Sequence, residues 1–210
     1  MLYATVRQSP VFEGEVLRYD ESSALSVKGV VKVVEILNGV AIVAEKFWQA
    51  KKGADALRIE FSRGRSQGLD DQKLEQQLTE ALDNLGKAEI LGEKTLDVEY
   101  FLPYLAHATM EPMNCTADVR SDHCKIWVPT QFPEVVRDKA AEITGMEPEQ
   151  VTVHTTYLGG GFGRRGWDFA IQAVQASKAV GRPVKLIWTR EEDTQHDFYR
   201  PAYKSRLQVQ

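Results

Sequence analysis

Four glycines in five residues, Gly159, Gly160, Gly161 and Gly163, run straight into Arg164 and Arg165 in the stretch LGGGFGRRG. Lacking a Cβ, glycine reaches positive φ readily and lets a ligand approach the backbone closely. Successive N–H groups in such a bend converge on an oxygen or an anion. A helix beginning near Trp167 or Asp168 would add the partial positive charge of its N-terminus, and the two arginines would add full charges. The stretch therefore reads as a loop for an anionic group. Its plainer reading is a tight strand-to-helix turn whose glycines serve packing alone.

The same residues spell G-x-G-x-x-G at Gly161, Gly163 and Gly166, the dinucleotide fingerprint. Strand, loop and helix come in the required order, and Glu191 or Glu192 follows the next strand about where a ribose-binding acid would stand. Against this, the fingerprint belongs on the first strand of its unit, whereas a strand and a helix precede it here. Few residues follow Glu191, too few to complete a doubly wound sheet. An NAD(P)-dependent dehydrogenase using Gly161–Gly166 is the alternative this pattern leaves open.

The elements that must hold the loop are readable on both sides of it. VTVHTTYL is a strand leading in; WDFAIQAVQASKAVG is a helix leading out, closed by Gly181 with Pro183 beyond, and PVKLIW is the next strand. Upstream, CKIWVP is a strand and PEVVRDKAAEITG a helix, with Pro133 in its first turn and Gly145 at its end. In the first third, VVKVVEI and VAIVAE flank Asn38-Gly39, a hairpin signal. Phe47, Ala50, Ala54 and Leu57 recur at helical spacing, and LRIEF reads as a strand. SRGRSQG is a linker by composition. LDDQKLEQQLTEALDNLG predicts an amphipathic helix with Leu74, Leu78, Leu82 and Leu85 in one stripe, Asp70 or Asp71 as its cap and Gly86 as its left-handed C-cap. YKSRLQVQ alternates like a strand and stops with no cap or turn, as if cut mid-element.

The chain of 210 residues is 43% apolar and 27% charged, which is ordinary for a soluble globular protein. Its formal charge of −4 argues against a nucleic-acid binder. No apolar run approaches a membrane span, and Met1 leads directly into LYATVRQSP with no secretory pattern. Two cysteines, Cys115 and Cys124, make neither a disulfide framework nor a zinc site and read as small buried thiols.

Two further segments bear on the loop: PYLAHATMEPMNCTA upstream and TREEDTQHDFYRPAYKSRL downstream. With HTTYLGGGFGRR and VPTQFPEVVR they resemble the molybdenum-cofactor subunits of the xanthine oxidase and aldehyde oxidase superfamily, in the isoquinoline 1-oxidoreductase and aldehyde dehydrogenase branch. The first 61 residues resemble that superfamily's α/β hammerhead domain. The expected fold is α+β (mixed α/β). The expected partition is a hammerhead-like domain over 1–61, a linker and amphipathic helix over 62–89, and the first part of the cofactor-binding domain over 90–210.

The resemblance implies a molybdenum–molybdopterin cofactor, in a cytosine dinucleotide form, whose metal takes no protein side chain. It places Gly159, Gly160, Gly161, Phe162 and Gly163 beside the metal, with amides around Phe162 and Gly163 directed at a molybdenum oxygen. Arg164 and Arg165 would meet the cofactor's pyrophosphate or nearby acids; His107, Met110 and Glu111 would line its pocket. Phe162 and Arg200 would face substrate, Arg200 with an ion pair to Glu191, Glu192 or Asp193 as its structural alternative; His196 and Asp197 are pocket-rim or structural residues. The sequence departs from the superfamily at Leu105, where a glutamine amide donor is expected. The implied reaction is hydroxylation of a small aldehyde or N-heterocycle with water-derived oxygen, electrons leaving through iron–sulfur clusters in a partner small subunit. The catalytic glutamate base would lie beyond Gln210, so the chain is expected to be an N-terminal fragment, inactive alone, of a bacterial enzyme in the cytoplasm or periplasm. A non-catalytic module that kept the fold is the remaining alternative.

Overall fold

A computed structural model describes residues 1–11, 13–64, 67–86 and 96–209. The fold is mixed α/β, as expected. It separates into two compact units, one of residues 1–65 and 108–197, the other of 66–107 and 198–210. This division differs from the partition read off the sequence, because the main sheet draws strands from both ends of the chain.

In the first unit the strands are β1 (Leu2–Gln8), β3 (Val30–Ile36), β4 (Gly39–Ala44), β7 (Asn114–Val119), β8 (Cys124–Val128), β9 (Val151–Thr155) and β10 (Val184–Ile187), forming one sheet in the order β3-β4-β1-β10-β7-β8-β9. Only β1–β10 and β8–β9 pair in parallel. The pairing of Leu2 with Val184 joins the hairpin region to the second half of the chain. β4 is buried along its whole length, which suits its unbroken run of small and branched apolar residues. The expected hairpin forms, with Ile36 opposite Gly39 and Leu37-Asn38 as the loop. Asn38 takes the left-handed conformation at φ +62, and Gly39 instead presses on β1, where a Cβ would lie 2.2 Å from the Arg7 carbonyl oxygen.

Helices α4 (Pro133–Thr144) and α5 (Asp168–Val180) pack together over the core, each ended by a left-handed glycine, Gly145 and Gly181. α5 buries most of its residues, including Phe169, Ile171 and Val174. α2 (Phe47–Ala56) lies against β1 and β4. Its small buried residues permit that approach: a Cβ on Gly53 would sit 2.9 Å from Ile42 Cγ2. The short helices α1 (Ser22–Leu25) and α6 (Arg190–Gln195) and the ribbon of β2 (Val16–Asp20) with β5 (Arg58–Phe61) complete the unit.

The second unit holds α3 (Asp71–Asn84) and an antiparallel pair, β6 (Leu96–Leu102) with β11 (Tyr203–Val209). Asp70 caps α3, accepting the Lys73 N–H at 2.8 Å, and Gly86 has φ +79 as expected. Lys204 and Arg206 of β11 reach Glu75 and Asp83 of α3 and Glu99 of β6. Leu74, Leu78 and Leu82 are half-buried, and Leu85 is exposed.

Candidate functional site

The glycine loop hangs between β9, at the edge of the sheet, and the start of α5. Gly160 and Gly163 stand at φ +93 and +92, which glycine adopts without penalty. Phe162 between them stands at φ +53, a strained conformation for a bulky residue. Such strain, of order 1–3 kcal/mol, persists only where the surroundings over-determine it. Here they do so from two sides.

On one side is Glu111. Its Oε2 accepts the Gly159 N–H at 2.9 Å, and its own N–H donates to Gly159 O at 3.0 Å. A Cβ on Gly159 would lie 2.3 Å from Glu111 Cβ, so only glycine allows this approach. Arg165 closes the arrangement. It pairs with Glu111 Oε2 at 2.8 Å, and its Nε donates to Gly160 O at 2.7 Å. Burial pulls the Arg165 guanidinium below its ordinary pKa, with Glu111 opposing that pull. On the other side is the turn before α4. Thr130 Oγ1 donates to Gly166 O at 2.6 Å, Gln131 N–H donates to Arg165 O at 3.0 Å, and Gln131 Oε1 accepts the Gly163 N–H at 3.1 Å.

Arg164 anchors the loop's exit to the core. It forms a two-pronged pair with Asp168 at 3.1 and 3.2 Å, meets Asp197 at 2.6 Å, and lies 5.3 Å over the Trp188 ring. Arg164 and Arg165 are 1% and 0% exposed, and of the two partners expected for them, pyrophosphate or nearby acids, the acids engage both. The loop's attraction for an anion thus falls to bare peptide groups. Among the described residues the N–H groups of Gly160, Gly161 and Phe162 have no acceptor, while that of Gly163, expected to face a ligand, is already held by Gln131. Arg165 Nη1 is likewise buried without a partner. The Phe162 ring, 63% exposed, folds back over Gly160. Met110 approaches the loop through its main chain and is otherwise 88% exposed.

The sheet does not favour the dinucleotide reading. A fingerprint loop needs a central strand of a parallel doubly wound sheet. β9 is instead an edge strand whose one neighbour is β8, in a sheet that is mostly antiparallel. Gly166 also has room around it, the nearest contacts to an added Cβ being 3.7 and 3.8 Å.

Residues 81–210 match the molybdopterin cofactor-binding domain family. The chain belongs to this family. Among similar proteins, the isoquinoline 1-oxidoreductase subunit beta of Brevundimonas diminuta is 30% identical over 232 residues, covering 100% of this chain and 29% of that protein. A protein of Gluconacetobacter polyoxogenes named membrane-bound aldehyde dehydrogenase [pyrroloquinoline-quinone] is 28% identical over 231 residues, covering 100% of this chain and 30% of its own. The chain therefore spans about 30% of the length of these relatives. The aldehyde oxidoreductase of Desulfovibrio gigas shares the fold, with TM-score 0.67 and 17% identity over 99% of this chain and 29% of that one.

Within this molybdopterin-family chain His107, Leu105 and Arg200 fall in the second unit, and His196 and Asp197 in the first. His107 is half-buried. Leu105 and Arg200 are direct antiparallel partners, Arg200 N–H donating to Leu105 O at 2.9 Å and Leu105 N–H to Arg200 O at 3.3 Å. Arg200 is exposed. The expected partners are engaged elsewhere, Glu192 with Arg7 and Asp193 with Arg190. His196 and Asp197 are structural: His196 bonds Ser9 O and packs edge-on to Trp188, and Asp197 holds Arg164. The sequence reading missed Thr130 and Gln131, which carry no local signal beyond preceding the proline that starts α4.

Proposed function

We propose that this chain is part of a molybdenum-dependent oxidoreductase that hydroxylates a small aldehyde or N-heterocycle, with the glycine loop lying against molybdopterin. The observation that carries the reading is the row of acceptor-free amides at Gly160, Gly161 and Phe162, on a loop fastened from behind by Glu111 and Arg165. Family membership supports it. The residues fit the group: side-chain-free backbone gives a flat anionic cofactor close approach, and the free donors suit its oxygens. When bound, the cofactor supplies the centre that takes two electrons from substrate and activates water.

This chain's own residues bind and orient. The amides of Gly161 and Phe162 donate to the cofactor, preorganised by the buried clamp so that little reorganisation is needed on binding. The Phe162 ring, exposed on the loop, offers an apolar face to substrate. Met110 and Glu111 border the cofactor, Glu111 through the loop it holds.

The electrons leave through iron–sulfur clusters of a partner small subunit. Cys115 and Cys124 of this chain are both buried in the sheet and are not offered as cluster ligands. Burial raises the Cys115 thiol well above 9 and pushes Cys124 up to about 11, whereas cluster ligation requires accessible thiolates. We assign residues 1–61 to a hammerhead-like module and 90–210 to the first part of the cofactor domain, and the cofactor's nucleotide to cytosine.

The test uses the intact protein. Metal analysis should find molybdenum, acid release should give a fluorescent pterin and a cytidine nucleotide, and aldehydes or N-heterocycles should reduce an artificial electron acceptor. A matured protein without molybdenum, or one holding a quinone in its place, overturns the reading. Molybdopterin without turnover would favour the non-catalytic module.

A further inference from the structure

We infer that Gln131 is a positioning residue of the glycine loop: its carboxamide fixes the bend at Gly161–Gly163 and so keeps the Gly160, Gly161 and Phe162 amides available to the cofactor. Three contacts support this. Gln131 Oε1 accepts the Gly163 N–H at 3.1 Å. The same carboxamide fills the space beside Gly161, where a Cβ would lie 2.9 Å from Oε1 and 3.0 Å from Cδ. The backbone of residue 131 is itself tied to the loop's exit, through Gln131 N–H to Arg165 O at 3.0 Å and Thr130 Oγ1 to Gly166 O at 2.6 Å.

These ties matter because the bend is otherwise weakly determined. Phe162 and Gly163 are consecutive left-handed residues, and nothing lies within 4 Å of a Cβ built on Gly163. A left-handed Phe162 would relax toward ordinary φ if its neighbour were released. Glu111 and Arg165 secure Gly159 and Gly160, the loop's entry; the carboxamide of Gln131 secures its far limb. Gln131 acts through the loop, on either side of any cofactor contact.

The inference rests on the functional reading above for its cofactor clause, and one experiment separates the two. Millisecond hydrogen–deuterium exchange is measured on the 158–166 peptide of the intact protein, first stripped of cofactor. Gln131→Leu should speed exchange about fivefold to tenfold, the effect of losing one hydrogen bond in a loop. Gln131→Glu, which keeps an oxygen acceptor, should exchange like the parent. Gly161→Ala, which pushes the carboxamide aside, should reproduce the rise and add nothing to Gln131→Leu. Molybdopterin content of the matured protein should then fall several-fold in Gln131→Leu. Unchanged exchange in Gln131→Leu overturns the inference whatever the cofactor; so does faster exchange with full cofactor content. A parent protein with no molybdopterin overturns the functional reading instead, and exchange alone then decides the role of Gln131 in the loop.

Discussion

Replacing Arg164 by methionine tests whether the loop is fastened by a buried charge cluster. The guanidinium meets Asp168 through two nitrogens and Asp197 through a third, and the side chains of all three residues are 1–2% exposed. Methionine fills much of the volume and still packs on Trp188, so the cavity contribution is small. What remains is two buried carboxylates that have lost the Arg164 cation. Breaking one such pair from a single side costs about 3–5 kcal/mol, because the surviving charge stays desolvated. With two carboxylates deprived of this partner, the loss for Arg164→Met should fall within or above that range. Urea denaturation read by tryptophan fluorescence measures it, Trp188 being the reporter next to the change. Arg164→Lys keeps the charge but cannot span both acids, and should lose about half as much, since lysine lacks the planar fork. The triple variant Arg164→Met, Asp168→Asn, Asp197→Asn removes all three charges and should recover most of the loss, a strong departure from additivity. A loss below about 1 kcal/mol in Arg164→Met, or no recovery in the triple variant, would refute the reasoning.

Other outcomes follow from neighbouring geometry. Gly159→Ala should destabilise by about 1–3 kcal/mol, since its Cβ would collide with Glu111 Cβ, whereas Gly166→Ala should be tolerated; thermal melts compare the two. Burial holds the His196 imidazole below its ordinary pKa of 6.5. Its contribution is therefore complete above pH 6.5 and is lost as pH falls toward the lowered native value, a dependence His196→Gln should abolish in urea titrations at pH 7.5 and 5.5. Native Cys115 and Cys124 should resist a thiol reagent at pH 8 and react fully once unfolded; rapid labelling of either in the native protein would contradict their burial.

Much of the architecture was legible because its signals are local. The Asn38 hairpin, the Asp70 cap of α3, Pro133 and Gly145 bounding α4, Gly181 ending α5 and the alternation of β11 each need only a few adjacent residues. The strand β6 carries the same kind of local signal, with Leu96, Val98, Tyr100 and Leu102 alternating against Asp97 and Glu99. The order of the main sheet was not legible. Its decisive parallel pair, Leu2 with Val184, has no local signature, because the partners come from opposite ends of the chain.

The glycine loop shows the same limit at the scale of a site. Glycines announce a close backbone approach, and Gly160 and Gly163 indeed adopt left-handed conformations. Adjacent arginines announce charge, but not its partner, and Asp197 lies 33 residues beyond Arg164 in sequence. Had both guanidinium groups faced outward, the loop would have been a strongly cationic surface that binds many anions indifferently and shifts with salt. With each cation matched by a carboxylate from behind, discrimination passes to three peptide N–H groups whose positions are fixed by Glu111, Arg165 and Gln131. Backbone donors cannot be redirected by a rotamer change, so a site built from them is only as selective as the bend is rigid. That is why the buried pairs should govern cofactor retention as strongly as the glycines proposed to lie against it.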